Sequence, residues 1–426
     1  MMRNQKIIVL VFSLIVFNGF GQKKELKSAE KALKSKNFVA AKENIVAAEK
    51  FDLLNADLKT KAKYHYIKGV AYYADGESSL DDSFIALDNF KKVISLEENS
   101  TYKTYTDKVN PLKSAMFNKF VTNHQNAYEK KDYKTSYSNL ESAFKVSPTD
   151  TIFLYNAAQV AKMDKDFDVA LEYFDQLINM NFTGITTNYY ATEIESGEEQ
   201  FFAIESSRDL VIKLKTHNNE RDEITESLKF SILKDVATIY RLKENYTKSL
   251  EYINLAKSIN SQDINLLLDE SFIQWELGNK DIYKSLISKA LEIDPNNADL
   301  LYNLGVISAD TDDIGSAKSY YNRAIAADPK YTKAYLNLVV VMMNDVKPIM
   351  EIQAKLGNSE ADYIKYDEYN EDIRNIYLEC IPYLVSVLDY DANNIPVLIQ
   401  LRSLYSAVGD EVNYMLMKEK VEELEN

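Results

Sequence analysis

The chain has 426 residues, with 50 Lys and Arg against 65 Asp and Glu, a formal net charge of −15. Single cores stop growing near ~250–300 residues, so this length implies two domains or a repeat array. Scarce Gly (11) and Pro (7) beside 30 Tyr argue for long helices and against a sandwich of many short strands. So acidic a surface repels nucleic acid and anionic headgroups, and no long Lys/Arg run offsets it. The one cysteine, Cys380, excludes an internal disulfide.

The chain opens MMRNQKIIVLVFSLIVFNGFGQ. Arg3 and Lys6 form a short positive head, residues 7–17 an apolar run broken only by Ser13, and Gly19 and Gly21 stand at −3 and −1 of a cut before Gln22. This is the layout of a secretory signal peptide over residues 1–21, and the run is shorter than the ~20 residues a spanning helix needs. The mature charge is then −15 − 2 = −17. No cysteine lies near the cut, so a lipid-anchored start is not supported. The expected location is outside the cytoplasm, in a bacterial periplasm or cell envelope, with no membrane span in the mature chain and membrane association only through partners.

Long amphipathic patterns follow. Phe38, Ala41, Ile45 and Ala48 mark a first helix face. YHYIKGVAYY (64–73), around Gly69 and Tyr72, is followed after about five extra residues by Ala86, Phe90 and Val93. Residues 117–150 carry Phe120, Tyr133, Ala143 and Pro148, and 151–184 carry Leu154, Ala157, Ala158, Phe167, Ala170 and Phe174. Residues 185–229 break the pattern. Tyr190, Thr192 and Ile194 alternate with polar positions, Ser196-Gly197 turns the chain, and Phe202 and Ile204 alternate again, a β-hairpin signal. SSRDLVIKL (206–214) predicts a short helix behind a Ser cap, and THNNERDE a polar loop. Helical patterning resumes at 230–263 with Leu233, Val236, Ala237, Tyr240 and Ala256. It continues at 264–297 with Leu267, Ala290 and Pro295, and at 298–331 with Leu301, Leu304, Gly305, Ala317, Tyr321, Ala324 and Pro329. Residues 332–344 start another pair with Tyr335 and Leu338. Its second helix waits until about 375–391 (Cys380, Leu384, Val387), beyond an acidic, tyrosine-rich insertion at about 345–374. Residues 395–426 form a closing pair with a charged last helix, the polar cap a stacked array needs.

Ala256, Ala290 and Ala324 recur at 34 residues, as do Pro295 and Pro329. Small residues belong where paired helices cross closely, because overpacking there costs roughly 1–3 kcal/mol. The register resembles the tetratricopeptide repeat (TPR) family: 34 residues per unit, two antiparallel helices, a small residue at position 8, a large one at 24 and Ala at 20 and 27. Residues 298–331 match best and depart at position 11, which is Ser308. The resemblance implies an all-α, right-handed superhelical solenoid of about 8–9 helix pairs with a small β-hairpin insertion. Its parts are an N-terminal array (22–184), a hairpin-containing insertion (185–229) and a C-terminal array (230–426).

Chemistry is hard to place on these residues. His65, His124 and His217 lie apart with no zinc-ligand spacing. DTDDIG (310–315) begins like a calcium loop but fails at Ile314 and Tyr321, where oxygen donors are needed. Cys380 sits at the small position of its helix, a packed thiol. No catalytic residue, metal or cofactor is expected.

In the family, helix A positions 2, 5, 6, 9 and 12 face the binding groove. Here they give Tyr155, Asn156 and Gln159, then Lys234, Thr238 and Arg241, then Tyr302 and Asn303. Between these come Asn265, Phe272 and Trp275, where helical spacing equally suits the two rings to the core. Amides, cations and rings suit an extended peptide. Of the family's carboxylate clamp only Lys234 fits, because Thr238 and Asp269 occupy its other positions. Tyr189, Tyr190, Phe201 and Phe202 make the insertion a second candidate surface. The expected function is a non-catalytic scaffold or adaptor for protein partners. Glycan or nutrient capture, and an accessory role in outer-membrane assembly or secretion, are the alternatives.

Overall fold

A computed structural model describes residues 23–50, 56–101 and 103–425. The expected signal peptide lies outside the described residues. The chain divides into two compact units, the first ending at Lys229 and the second beginning at Phe230.

The first unit runs through α1 (23–34), α2 (Phe38–Ala48), α3 (Leu58–Tyr73), α4 (Leu80–Glu97), α5 (Thr106–Glu129), α6 (Tyr133–Val146), α7 (Ile152–Met163) and α8 (Phe167–Asn179). Then come β1 (Thr187–Glu193), β2 (Glu199–Phe202), α9 (Glu205–Lys213) and β3 (His217–Ile224). The second unit is helical: α10 (Lys229–Leu242), α11 (Tyr246–Lys257), α12 (Ile264–Glu276), α13 (Lys280–Ile293), α14 (Ala298–Asp310), α15 (Ile314–Ala327), α16 (Thr332–Met343), α17 (Val346–Gln353), α18 (Glu360–Tyr390), α19 (Ile395–Val408) and α20 (Glu411–Glu425). Among the described residues the helices form nine pairs, with α9 and α17 outside the pairing.

The repeat is visible in the turns as well as the core. Lys131, Lys165, Glu244, Gly278 and Asp312, all at position 15 of their units, have φ of +59°, +62°, +57°, +76° and +57°. A left-handed residue closes the first helix by returning the next amide to a carbonyl five residues back, as Asp166 N does to Ala161 O at 3.0 Å. That next residue caps the second helix. Asp132, Asp166, Asn245 and Asp313 each accept an amide with the side chain. Stop and start signals are therefore fused in two residues.

Position 8 must be small because of position 24. A Cβ added at Gly305 would lie 2.5 Å from the Tyr321 ring, and one added at Gly69 would lie 2.4 Å from the Phe90 ring. Gly69 and Phe90 are 21 residues apart and Gly305 and Tyr321 are 16 apart. The contact is the same despite the five extra residues, which are absorbed by a 3₁₀ turn over Ala74–Gly76 and its flanks. Ala158 faces the same role with Phe174, and both are fully buried. In the second unit one continuous cluster runs from Leu267 through Tyr321, Leu338, Cys380 and Leu401 to Val421.

One region differs from the sequence reading. THNNERDE is not a loop. It forms β3, and the hairpin is a three-stranded antiparallel sheet in the order β2-β1-β3. Apart from His217, β3 is exposed throughout, so no alternation marks it; backbone pairing with β1 holds it. Helix α9 begins after Ile204, with no side-chain cap, rather than behind a serine. The 345–374 insertion forms α17 and the first half of α18. Ser359 and Asp362 make a capping box at the start of α18, and Gln353 donates to Asn370 at 2.8 Å across the two helices. The second half of α18 carries Cys380, Leu384 and Val387, all fully buried.

Candidate partner-binding site

The predicted site residues fall in several places. On α7, in the first unit, Asn156 is exposed, Gln159 is half-buried, and the Tyr155 ring lies 6.2 Å from that of Phe182. On the sheet, register decides. Tyr190 opposes Phe201 and Tyr189 opposes Phe202, so the four aromatics divide between two faces. Phe202 is buried against His217, and Arg208 of α9 lies over Tyr189 and bonds Asp222 at 2.6 Å. The open face keeps Phe201 and Tyr190, with Arg221 stacked 4.2 Å over the latter and paired with Glu199 and Glu223. Phe202 is therefore core rather than surface.

In the second unit the two cations are already engaged. Lys234 bonds Asp263 at 3.1 Å, and Thr238 donates to Asp269 at 2.9 Å. Arg241 Nε lies 2.9 Å from the other oxygen of Asp269, an ionic contact in which its N–H is not aimed at the oxygen. The guanidinium lies 5.2 Å over the Phe272 ring. These three residues tie α10 to the next helix A, and a ligand reaching them would compete with those carboxylates.

One helical turn further along, the second unit opens a cleft of about 520 Å³. Its walls are positions 5, 9 and 12 of α12 (Leu268, Phe272, Trp275) and positions 5, 6 and 9 of α14 (Tyr302, Asn303, Val306), with Tyr283 of α13 at one side. Phe272 and Trp275 are 42% and 40% exposed, so the spacing that suited them to the core places them on the open side. The core side of α12 is taken instead by Leu266, Leu267, Ser271, Ile273 and Gln274. Trp275 and Tyr283 rings meet at 5.2 Å, and burial pushes the Tyr283 phenol above its ordinary range. Tyr302 is fixed by the Tyr331 ring at 5.3 Å and by a 3.0 Å bond that its hydroxyl accepts from Asn337. Tyr331 in turn donates to Asp299 at 2.5 Å. The cleft is thus a preformed apolar surface with an amide and a carboxylate, Asn303 and Glu276, at its edge. Such a mix of rigid rings and few polar groups suits binding of a chain segment.

A family model described as tetratricopeptide repeat matches residues 286–318, the span from late α13 through α14 into α15. Residues 286–318 are a tetratricopeptide repeat, and the chain is similar to tetratricopeptide repeat proteins over that span. Of the cleft's walls, α14 lies within the matched repeat and α12 belongs to the 34-residue unit before it. Stacked TPR units offer extended surfaces to protein partners. A human protein named protein O-mannosyl-transferase TMTC3 is 26% identical over 235 residues, 50% of this chain. The chain spans about a quarter of that relative, 24% of its length. Among solved structures, a tetratricopeptide repeat protein from Parabacteroides merdae is 11% identical, with a TM-score of 0.38 over 73% of this chain and 100% of that one. MamA protein is 17% identical, with a TM-score of 0.34 over 46% of this chain and 92% of its own. YrrB, described as a TPR protein with an unusual peptide-binding site, is 14% identical, with a TM-score of 0.34 over 58% of this chain and 97% of its own.

The histidines have separate local partners: His65 with Asn89, His124 with Ser136 and His217 with Gln200. Among the described residues no group of three or more His, Cys, Asp or Glu is placed to hold a metal ion. Cys380 is fully buried, and burial pushes its thiol up to about 11, opposite to what a nucleophile needs. Among the described residues no helix is long and apolar enough to cross a membrane.

Proposed function

We propose that this protein is a non-catalytic scaffold, exported to the periplasm or envelope, that holds an extended segment of a partner protein against helix A of its TPR units. The cleft walled by Phe272, Trp275 and Tyr302 carries this reading, because two exposed rings of one unit meet a half-buried ring of the next at groove positions. Asn303 at its edge is placed to bond a backbone passing over the rings. Export rests on the charged head, apolar run and small-residue cut of residues 1–21.

Site-specific photo-cross-linking in living cells tests the site. A cross-linking residue at Asn303 should yield a defined set of envelope proteins, and one at Val412, which is 80% exposed on α20, should not. Phe272→Ala with Trp275→Ala should abolish the Asn303 adducts while the helical signal is kept. Identical adducts from both positions, or adducts indifferent to the double variant, would sink the assignment. Sequencing the mature protein should begin at Gln22.

A further inference from the structure

We infer that the cleft recognises a cationic side chain, an arginine carried on the partner's peptide, rather than an apolar anchor alone. This rests on the proposed groove. The faces of aromatic rings carry negative potential and attract a guanidinium or ammonium, most strongly at Trp. A guanidinium is planar and weakly hydrated, so it stacks where a compact ammonium stays in water.

The chain displays the arrangement one unit earlier. Arg241, at position 12, lies 5.2 Å over Phe272, at position 9 of the next unit, and is held by Asp269. Moving 34 residues on, the position of Arg241 becomes Trp275 and that of Asp269 becomes Asn303. The internal cation is gone and a ring stands in its place. Among the described residues no cation lies over Trp275, Tyr283 or Tyr302, whereas Arg241 occupies Phe272. The lysines on α13 beside the cleft are committed elsewhere, Lys280 to Asp310 and Lys284 to Asp313 at 3.6 Å.

Charge points the same way. Glu276 lines the cleft, is exposed, and among the described residues has no ion pair or hydrogen bond. With three unoccupied rings (Trp275, Tyr283 and Tyr302), an unneutralised carboxylate and a chain charge of −15, the cleft complements a positive group and repels an acidic one. An apolar side chain would be indifferent to Glu276.

Trp275 is the only tryptophan, so its fluorescence reports the cleft without a label. The experiment titrates the mature full chain with acetyl-Ala-Arg-Ala-amide and with the same peptide carrying citrulline or norleucine in place of arginine. Citrulline keeps the shape and removes the charge. The arginine peptide should change the Trp275 signal saturably and bind at least about fivefold more tightly than either analogue, the preference a cation–π contact supplies. Glu276→Gln, at an exposed position, should erode that preference, and raising salt should weaken the arginine peptide selectively. Equal binding of the norleucine peptide would overturn the cation inference and leave the groove reading standing. No response to any of the three peptides would also overturn it, and the groove reading would then rest on the cross-links from Asn303.

Discussion

Gly305→Ala isolates the contact that sets the repeat register. Gly305 lies inside α14, where Ala is favoured over Gly by about 1 kcal/mol. The added Cβ would meet Tyr321 Cε1 at 2.5 Å and Cδ1 at 2.6 Å, about an ångström inside ordinary contact. Tyr321 is 1% exposed within the continuous core, so its ring has little room to retreat. Overpacking of this kind costs roughly 1–3 kcal/mol, and the net change is a loss of about 0–2 kcal/mol. Gly315, in the first turn of α15, is the control, because a Cβ there meets nothing within 4 Å. Gly315→Ala should gain up to about 1 kcal/mol. Urea unfolding followed by Trp275 fluorescence, in the adjacent repeat, reads both. In a Tyr321→Leu background Gly305→Ala should lose its cost, the coupling a double-mutant cycle measures. If Gly305→Ala stabilises as much as Gly315→Ala, the position 8 to position 24 argument fails.

Three further outcomes follow from the turns, the ties and the buried rings. Lys165 has φ +62° and Gly278 φ +76° at the same repeat position; Lys165→Gly should raise stability by up to about 1 kcal/mol and Gly278→Ala lower it by about 1, with opposite signs in urea melts counting against the left-handed turn. Arg241→Ala should cost stability as well as any binding, since it strips Asp269 of its cation where both side chains are about one-fifth exposed (21% and 19%); the loss should fall between the roughly 0.2–1 kcal/mol of exposed pairs and the roughly 3–5 of buried ones, and an unchanged melt would show that the pair is no tie. Burial holds the His65 and His124 rings below the ordinary imidazole range. The unfolded chain therefore takes up protons first as pH falls through about 6.5, so this contribution is complete above that pH and is lost on acidification toward the folded values. His124→Gln should flatten the fall between pH 7 and pH 5 in urea midpoints, and an equally steep fall in the variant would refute the assignment.

The sequence by itself determined the repeat. Small residues at positions 8, 20 and 27 and large ones at 24 are requirements of two helices crossing within one unit, so contacts between near neighbours in the chain fix them. Gly69 and Phe90 were legible for that reason even with five residues inserted between their helices. The same local logic made Cys380 readable as a packed thiol. Only the tertiary structure decided what contacts between units settle. Phe272 and Trp275 have spacing that fits either side of α12, and their exposure depends on which residues α14 and α13 present to that helix. Lys234 and Arg241 read as free cations until the next helix brought Asp263 and Asp269 against them. Strand β3 carried no signal because a strand with both faces in solvent needs only a backbone partner, which β1 supplies from across the insertion.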